Sequence, residues 1–398
     1  MGHPMRGATA ISGFGITPMG RIFGKSSTEL AADAVRMAIA DSGLKKDDID
    51  GLLVNAGITG VTGGGISLNM QNYLGMRDLR LMNHMNAAGS TASQMVQYAS
   101  LAIAAGMAKH VVCVFADAPL SDGKSAGAAY GGASRLPGRP KGMAGLYPAA
   151  GYFGANTSYA LAASRHMAMY GTTNEHFGAV AVAQRQWATM NPMAQMRDPI
   201  TMEDYHNSRW IVEPLHLLDC CLVSNGAVAV IVSSAADAKE MKQPPVYIHG
   251  MGQGHPGDPL RAGADPETET GGIIAAKTAY AMAGIGPKDV TACELYDCYT
   301  YTVLVTLEDY GFCKKGEGGP FVASGVLGPG GALPTNTGGG ELSAYYMWGM
   351  TPLSEAVIQG RGHGGERQVK NDVILCTGNG GTLSWHGCLI LSPHASLS

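Results

Sequence analysis

The sequence predicts an α/β fold built from two similar halves, and three observations carry that prediction. Apolar, strand-like runs alternate with Ala-rich helical periodicity along most of the chain, as in parallel βαβ units whose helices cover both faces of a sheet. The segment from Ala34 resembles the segment from Ala275. The chain has 398 residues, 45% of them hydrophobic, enough to bury a core in two or three domain-sized units.

The duplication reads element by element. In the first copy, helical periodicity ends at Gly43-Leu44, a Lys-Asp turn follows, and Ile49 to Val54 is a buried strand. In the second, the helix ends at Gly284-Ile285, Pro287-Lys288-Asp289 makes the turn, and Val290 to Tyr296 is the strand. Each copy continues with an Asn and small residues opening a helix (Asn86 to Gly89, Asn336 to Gly340), then an apolar strand (Val111 to Phe115, Val373 to Cys376). Each half begins with a strand running into glycine, Ala8 to Gly15 and Val246 to Gly252. The halves are residues 1–240 and 241–398, expected to pack on each other with the site between them. From about residue 119 to 214 the alternation breaks into a stretch rich in Gly, Pro, Met and Tyr, with a helical patch from Thr173 to Met190. This stretch reads as an excursion of the first half over the mouth of the site.

Composition restricts the function. A formal net charge of -4 supplies no basic field for a nucleic-acid backbone or an anionic lipid surface. The N-terminus lacks a charged-then-apolar leader pattern, and apolar stretches are interrupted before 18 residues, which predicts a cytoplasmic protein and no membrane partner. Eight cysteines without C-x-x-C spacing indicate neither a disulfide scaffold nor a zinc site. Gly at 57 residues and Met at 22 suit tight turns near a ligand and an adaptable apolar interior; the Met enrichment fits a bulky hydrophobic ligand and loose core filling about equally.

A series of ordered motifs then carries a family resemblance over nearly the whole chain. They are Ala102-Ile103-Ala104-Ala105-Gly106, Asn191-Pro192, Ser208-Arg209, Pro214-Leu215, Leu218-Asp219-Cys220-Cys221, Glu294-Leu295-Tyr296-Asp297-Cys298, Lys315-Gly316-Glu317-Gly318-Gly319, and Asn336 with Gly339-Gly340. With these the chain resembles the thiolase superfamily, in its lipid-transfer or sterol-carrier-type branch. The resemblance implies the thiolase fold, duplicated αβαβα halves packed as a layered sandwich with an inserted loop region.

The reactive positions of that family are changed here. In thiolases the nucleophilic cysteine lies at a helix N-terminus, where the dipole and free N–H groups favour a thiolate; the aligned residue is Gly89, which cannot be acylated. The two histidine positions, one in a Glu-Leu-His-Asp-Cys strand end and one in a Gly-His-Pro turn, hold Tyr296 and Tyr346. The fourth position keeps its cysteine, in Cys376-Thr377-Gly378. Without a covalent acyl-enzyme, thiolysis is lost. A pocket of backbone N–H groups still suits a thioester enolate, the species a retro-aldol cleavage of a β-hydroxyacyl-CoA generates.

The combination of Gly89, Tyr296 and Tyr346 is similar to the thiolase-like aldolases of bacterial steroid side-chain degradation. This resemblance implies cleavage of a 17-hydroxy steroid carboxyl-CoA to a 17-ketosteroid and propionyl-CoA. It also implies a homodimeric core joined by a zinc-ribbon/OB-fold partner protein into a heterotetramer, with no cofactor of the chain's own. Tyr296 and Tyr346 are the expected catalytic pair, their roles as acid and base left open, and Gly89, Ser90, Cys376 and Gly378 the expected substrate-binding residues; no metal ligands are expected. Tyr299, Tyr345 and Asp297 read as structural, as do His84, His206, His216, His363 and His386, and Gly60 to Gly65 as a loop near the dimer interface or pocket. Two other readings stand beside the lyase: a non-catalytic acyl-CoA or sterol-binding subunit, and a residual acyltransferase acting through Cys376 or Ser90.

Overall fold

The first strand, β1 (Thr9–Ile16), runs into a helix whose start is written in its sequence. The Ser26 hydroxyl accepts the Glu29 N–H, and the Glu29 carboxylate accepts the Ser26 N–H at 2.8 Å, so two donors at the helix start are satisfied reciprocally. The helix, α1 (Ser27–Ser42), stops at Gly43 with φ +80, a left-handed cap that glycine adopts without penalty. The second half repeats this stop at Gly284, φ +67, after helix α5 (Gly272–Ala283).

The computed structural model describes residues 2–55, 57, 66, 68–129, 149–152, 154–257 and 268–397; the Gly60 to Gly65 run lies outside them, as does much of the excursion. The remaining strands of the main sheet are β2 (Gly51–Asn55), β3 (Leu81–Met85), β4 (His110–Asp117), β5 (Gly226–Ser234), β6 (Val246–Gly254), β7 (Ala292–Glu294), β8 (Ile374–Gly380) and β9 (Trp385–Ser392), and Trp210–Val212 pairs with Leu215–His216 in a separate short ribbon. The other long helices are α2 (Thr91–Ala104), α3 (Ala155–Tyr170), α4 (Asn174–Thr189), α6 (Thr300–Asp309) and α7 (Met350–Gly360). Thr173 precedes α4 as its N-terminal cap residue and Met190 closes it, within the helical patch read from the excursion.

The nine strands β1 to β9 form one sheet in the order β3-β2-β4-β5-β1-β6-β9-β8-β7. Its two halves meet where β1 and β6 pair over Thr9–Ile11 and Val246–Ile248. Helix α2 lies between β4 and β5 on one side and β8 and β9 on the other, with α7 beside it, while α1 covers β1 and β5 and α5 covers β6 and β9 from outside. The result is a five-layer α/β/α/β/α stack with two central helices. Among the described residues no helix is long and apolar enough to cross a membrane.

The sheet is mixed, not parallel as the alternation of elements suggested. β5 runs antiparallel to both β4 and β1, and β9 antiparallel to both β8 and β6. For β8 and β9 the cause is connection length: they are joined by four residues, too few for the crossover that parallel neighbours require. β7 is also shorter than the Val290 to Tyr296 run. Beyond Glu294 the Leu295 N–H turns to the Asn336 side-chain oxygen at 2.6 Å, which takes the chain out of the sheet and frees Tyr296 for the site.

Glycine sets the spacing between the outer helices and the sheet in both halves. A Cβ on Gly15 would lie 2.0 Å from the Ala34 carbonyl oxygen of α1, and one on Gly252 2.0 Å from the Ala275 carbonyl oxygen of α5. No side chain fits there. Gly252→Ala is therefore expected to lower stability by at least about 1–3 kcal/mol in urea titrations, whereas Gly286→Ala, with open space around it, changes it by less than about 0.5 kcal/mol.

His386 on β9 is fully buried. Burial, then His255, lowers its pKa from 6.5 to about 3. As pH falls through 6.5 the unfolded chain gains a proton that the folded chain does not, so this contribution to stability is present above pH 6.5 and is lost progressively toward pH 3. Urea midpoints measured at pH 7 and pH 5 should fall less in His386→Leu than in the wild type; an equal fall would refute this origin.

Candidate active site

Two turns with the same geometry face each other at the centre of the stack. In the first, Ala88 takes φ +49 and the Ala87 N–H donates to Thr91 Oγ1 at 2.7 Å; in the second, Trp348 takes φ +49 and the Met347 N–H donates to Thr351 Oγ1 at 2.8 Å. Non-glycine residues rarely adopt such values outside functional sites. These turns open α2 and α7, so the positive ends of two helices converge here. They also pack backbone to backbone: a Cβ on Gly349 would lie 2.2 Å from the Gly89 carbonyl oxygen, and one on Gly378 2.6 Å from it.

This geometry corrects one detail of the duplication. Asn336 to Gly340 opens only a single π-helical turn, not the α-helix that packs beside α2. It matches Asn86 in place, since Asn86 follows β3 and Asn336 follows Thr335, which bridges in parallel to Cys293 next to β7. The residue that matches Gly89 is Gly349, however, and between Asn336 and Gly349 the chain inserts a π-helical turn, Gly340–Ala344. Tyr345 and Tyr346 follow directly from that turn.

Tyr296 fills the space where a side chain at position 89 would be. A Cβ built on Gly89 would lie 2.2 Å from Tyr296 Cε2, 2.3 Å from Cζ and 2.3 Å from the Asn379 carbonyl oxygen. The glycine and the tyrosine therefore require each other. The Tyr296 N–H donates to Thr377 Oγ1 at 3.2 Å, which ties its backbone to β8. Its hydroxyl lies 3.1 Å from that of Tyr346, and Tyr346 is held through its N–H, donated to Ser224 Oγ at 2.9 Å. Tyr296 is 4% exposed, and burial, then the Tyr346 hydroxyl and the Glu341 carboxyl, hold its pKa well above 10. It stays a phenol, while Tyr346 is only half-buried.

The other expected site residues divide. Gly89 and Gly378 lie at the contact of the two turns, and among the described residues no acceptor takes the Gly89 N–H, which leaves it for an oxyanion. Ser90 is turned away from the site: it is fully buried, its N–H and hydroxyl both donate to the Ala87 carbonyl at 3.2 and 2.8 Å, and it accepts from Gln94. Cys376, 1% exposed on β8, is kept a thiol by burial, then by Glu294 and Cys388, which together raise its pKa well above 9. A buried thiol and an occupied hydroxyl leave the acyltransferase reading without a nucleophile. Tyr299 and Tyr345 are packed away, the first with its hydroxyl on Asn156 and its ring stacked 4.4 Å from Tyr159, the second hydrogen-bonded to Ser354 at 2.7 Å. Among the described residues no group of three or more His, Cys, Asp or Glu is placed to hold a metal.

Two residues at this site were not singled out from the sequence. Ser224, in a loop without motif character, supports Tyr346. Glu341, in the π-turn, is fully buried and its carboxyl has no hydrogen-bond partner among the described residues. The only signal for it was an acidic residue within an otherwise small and apolar run.

Comparison with known proteins agrees with this architecture. Residues 252–393 match the family model for the thiolase C-terminal domain-like region. The chain is 40% identical to a steroid side-chain-cleaving aldolase of Thermomonospora curvata, over 89% of this chain and 91% of that protein. It is 37% identical to a 17-hydroxy-3-oxo-4-pregnene-20-carboxyl-CoA lyase of Mycobacterium tuberculosis, over 90% and 92%. The solved Ltp2-ChsH2(DUF35) aldolase superposes with a TM-score of 0.85 at 36% identity, covering 98% of both chains. With its glycine at the nucleophile turn and its paired tyrosines, the chain belongs to the thiolase superfamily, in the branch of the steroid side-chain-cleaving aldolases.

Proposed function

We propose that this protein is a carbon–carbon lyase that cleaves the side chain of a 17-hydroxy steroid carboxyl-CoA by a retro-aldol reaction, releasing a 17-ketosteroid and propionyl-CoA. The observation that carries the reading is the Tyr296–Tyr346 hydroxyl contact of 3.1 Å beside a Gly89 that no side chain can replace.

The chemistry needs no external proton. The β-hydroxyl of the substrate loses its proton as the Cα–Cβ bond breaks, its oxygen becomes the ketone, and the bond electrons pass into the thioester enolate. Tyr346, the more exposed phenol, takes the hydroxyl proton and passes its own to Tyr296. Tyr296, next to Gly89, gives its proton to Cα, and both tyrosines end as they began. The Gly89 N–H and the two helix starts stabilise the enolate oxygen. Two phenols serve because each donates and accepts, so the high pKa of buried Tyr296 is no obstacle when its proton leaves as another arrives.

The scheme draws on no cofactor of the chain's own. The double name of the Ltp2-ChsH2(DUF35) aldolase supports reading this chain as one component of a two-protein enzyme. The partner would be a zinc-ribbon/OB-fold protein on a homodimeric core, with any zinc in the partner.

The test is release of propionyl-CoA and ketosteroid, followed by mass spectrometry with and without the co-expressed partner. Tyr296→Phe and Tyr346→Phe should each lower kcat by about 10²- to 10⁴-fold; full activity in either variant would remove that tyrosine from the relay, and no propionyl-CoA from the wild type in any combination would leave a binding subunit. Gly89→Cys restores the family's nucleophile in type but not in space. It should form no acyl adduct by intact mass and should lose lyase activity because the Tyr296 ring is displaced; an adduct with acetoacetyl-CoA would overturn this account of the glycine.

A further inference from the structure

Tyr296 and Asp297 are consecutive in a segment that leaves the sheet, and their side chains turn to opposite sides. Tyr296 meets Gly89, while Asp297 meets the inserted turn Gly340–Ala344. Its carboxylate accepts the Glu341 N–H, 2.9 Å from each oxygen, and the Leu342 N–H at 3.1 Å, and the residue is fully buried. The fit is close enough that a Cβ on Gly340 would lie 2.2 Å from Asp297 Oδ2. Further along, the Leu222 N–H donates to the Glu341 carbonyl, the Gln195 N–H to that of Ala344 and the Met196 N–H to that of Ser343, at 2.9 to 3.0 Å. Tyr345 and Tyr346 come next in the chain. One dipeptide thus places the first tyrosine and grips the root of the segment that carries the second.

We infer that Asp297 is a positioning residue of this site: as a carboxylate it locks the inserted turn, and through the turn it sets the Tyr346 hydroxyl at hydrogen-bonding distance from that of Tyr296. The inference rests on the tyrosine-pair reading above. Among the described residues no other side chain accepts these N–H groups, and a row of N–H donors favours a negative charge. Burial, then the Asp297 carboxyl, raises the Glu341 pKa well above the usual carboxylate range. The other titratable groups around Asp297 are Cys298 on its own segment, Cys221 from the neighbouring loop, and Glu294, Tyr345 and Glu355, which line a cavity of about 10 Å³ with it, and the Asn336 side chain lies beside its carboxylate. Burial pushes the Asp297 carboxyl up to about 7, against the pull of the Glu341 and Leu342 N–H groups. Its charge, and with it the full strength of the clamp, therefore develops as pH rises through about 7.

The experiment compares the wild type, Asp297→Asn and Gly340→Ala, each with the co-expressed partner, by propionyl-CoA release across pH and by hydrogen exchange of the Glu341 and Leu342 amides. Asp297→Asn should lower kcat about 10²-fold, the usual consequence of a displacement near 1 Å, with KM within about threefold. It should lose the acid-side inflection near pH 7 and show faster exchange at those two amides. Gly340→Ala, which forces the carboxylate away, should reproduce the kcat loss, and decides the matter if Asp297→Asn does not fold. In the wild type, exchange at Glu341 and Leu342, corrected for intrinsic rate, should slow as pH rises through about 7. Unchanged kcat and pH profile in Asp297→Asn, or a lost kcat with unchanged exchange, would overturn the clamp. A wild type that releases no propionyl-CoA refutes the lyase reading instead, while the exchange data still judge the clamp.

Discussion

The contact on which the site depends is the Tyr296 ring lying against the bare Cα of Gly89. A ring atom 2.2 Å from where a Cβ would stand excludes every residue but glycine. The loss of the nucleophile is thus a requirement of the new phenol. The backbone that carries the ring is in turn held by the Thr377 hydroxyl on β8 and by the way Asn336 draws Leu295 off the sheet. A five-layer stack fixed by glycine contacts in both halves gives these short distances their rigidity, because neither half of the sheet can move toward its outer helix without a backbone collision.

Duplication supplies the frame and its breakdown supplies the chemistry. The turns at Ala88-Gly89 and Trp348-Gly349 are nearly the same object, down to the threonine that caps each. What distinguishes the halves is the π-turn between Asn336 and Gly349. Single-turn π segments are often found at functional sites, and here the extra residues carry Tyr346 across the gap to Tyr296. The same insertion buries Glu341 and calls for a carboxylate, Asp297, to take its first N–H groups. The active-site geometry and the irregularity of the fold have one origin.

Much of this was legible in the sequence, and what was not has physical reasons. The helix stops at Gly43 and Gly284, the strand cores and the cap of α4 follow from local rules, and the positions of Gly89, Tyr296 and Tyr346 follow from motif order. The mixed sheet was hidden because an apolar run has no direction; only the four-residue link between β8 and β9 betrays it. The offset between Asn336 and Gly349 was hidden because a π-turn has no period to read. Ser90 and Cys376 sat at familiar positions, yet a hydroxyl bonded to the Ala87 carbonyl and a thiol in a dry strand interface are properties of packing. Asp297 read as structural, and its two N–H partners come from a segment more than forty residues away, beyond any local signal.

The replacement of histidines by tyrosines also fits the electrostatics of so dry a site. An imidazole that takes a proton becomes a cation, which a buried pocket disfavours unless an anion is formed beside it at once. Claisen chemistry provides such an anion, the thiolate of the acyl transfer. A retro-aldol without a covalent intermediate provides only a transient enolate, whose charge is collected at the backbone N–H and helix starts. A relay of two phenols moves the proton without leaving a charge on either. That neutrality matters here because the surroundings already contain Glu341, Glu294 and Asp297 within a single buried region, where burial raises the pKa of each. Where burial already opposes charge on these carboxyls, a proton carrier that never becomes an ion suits the interior.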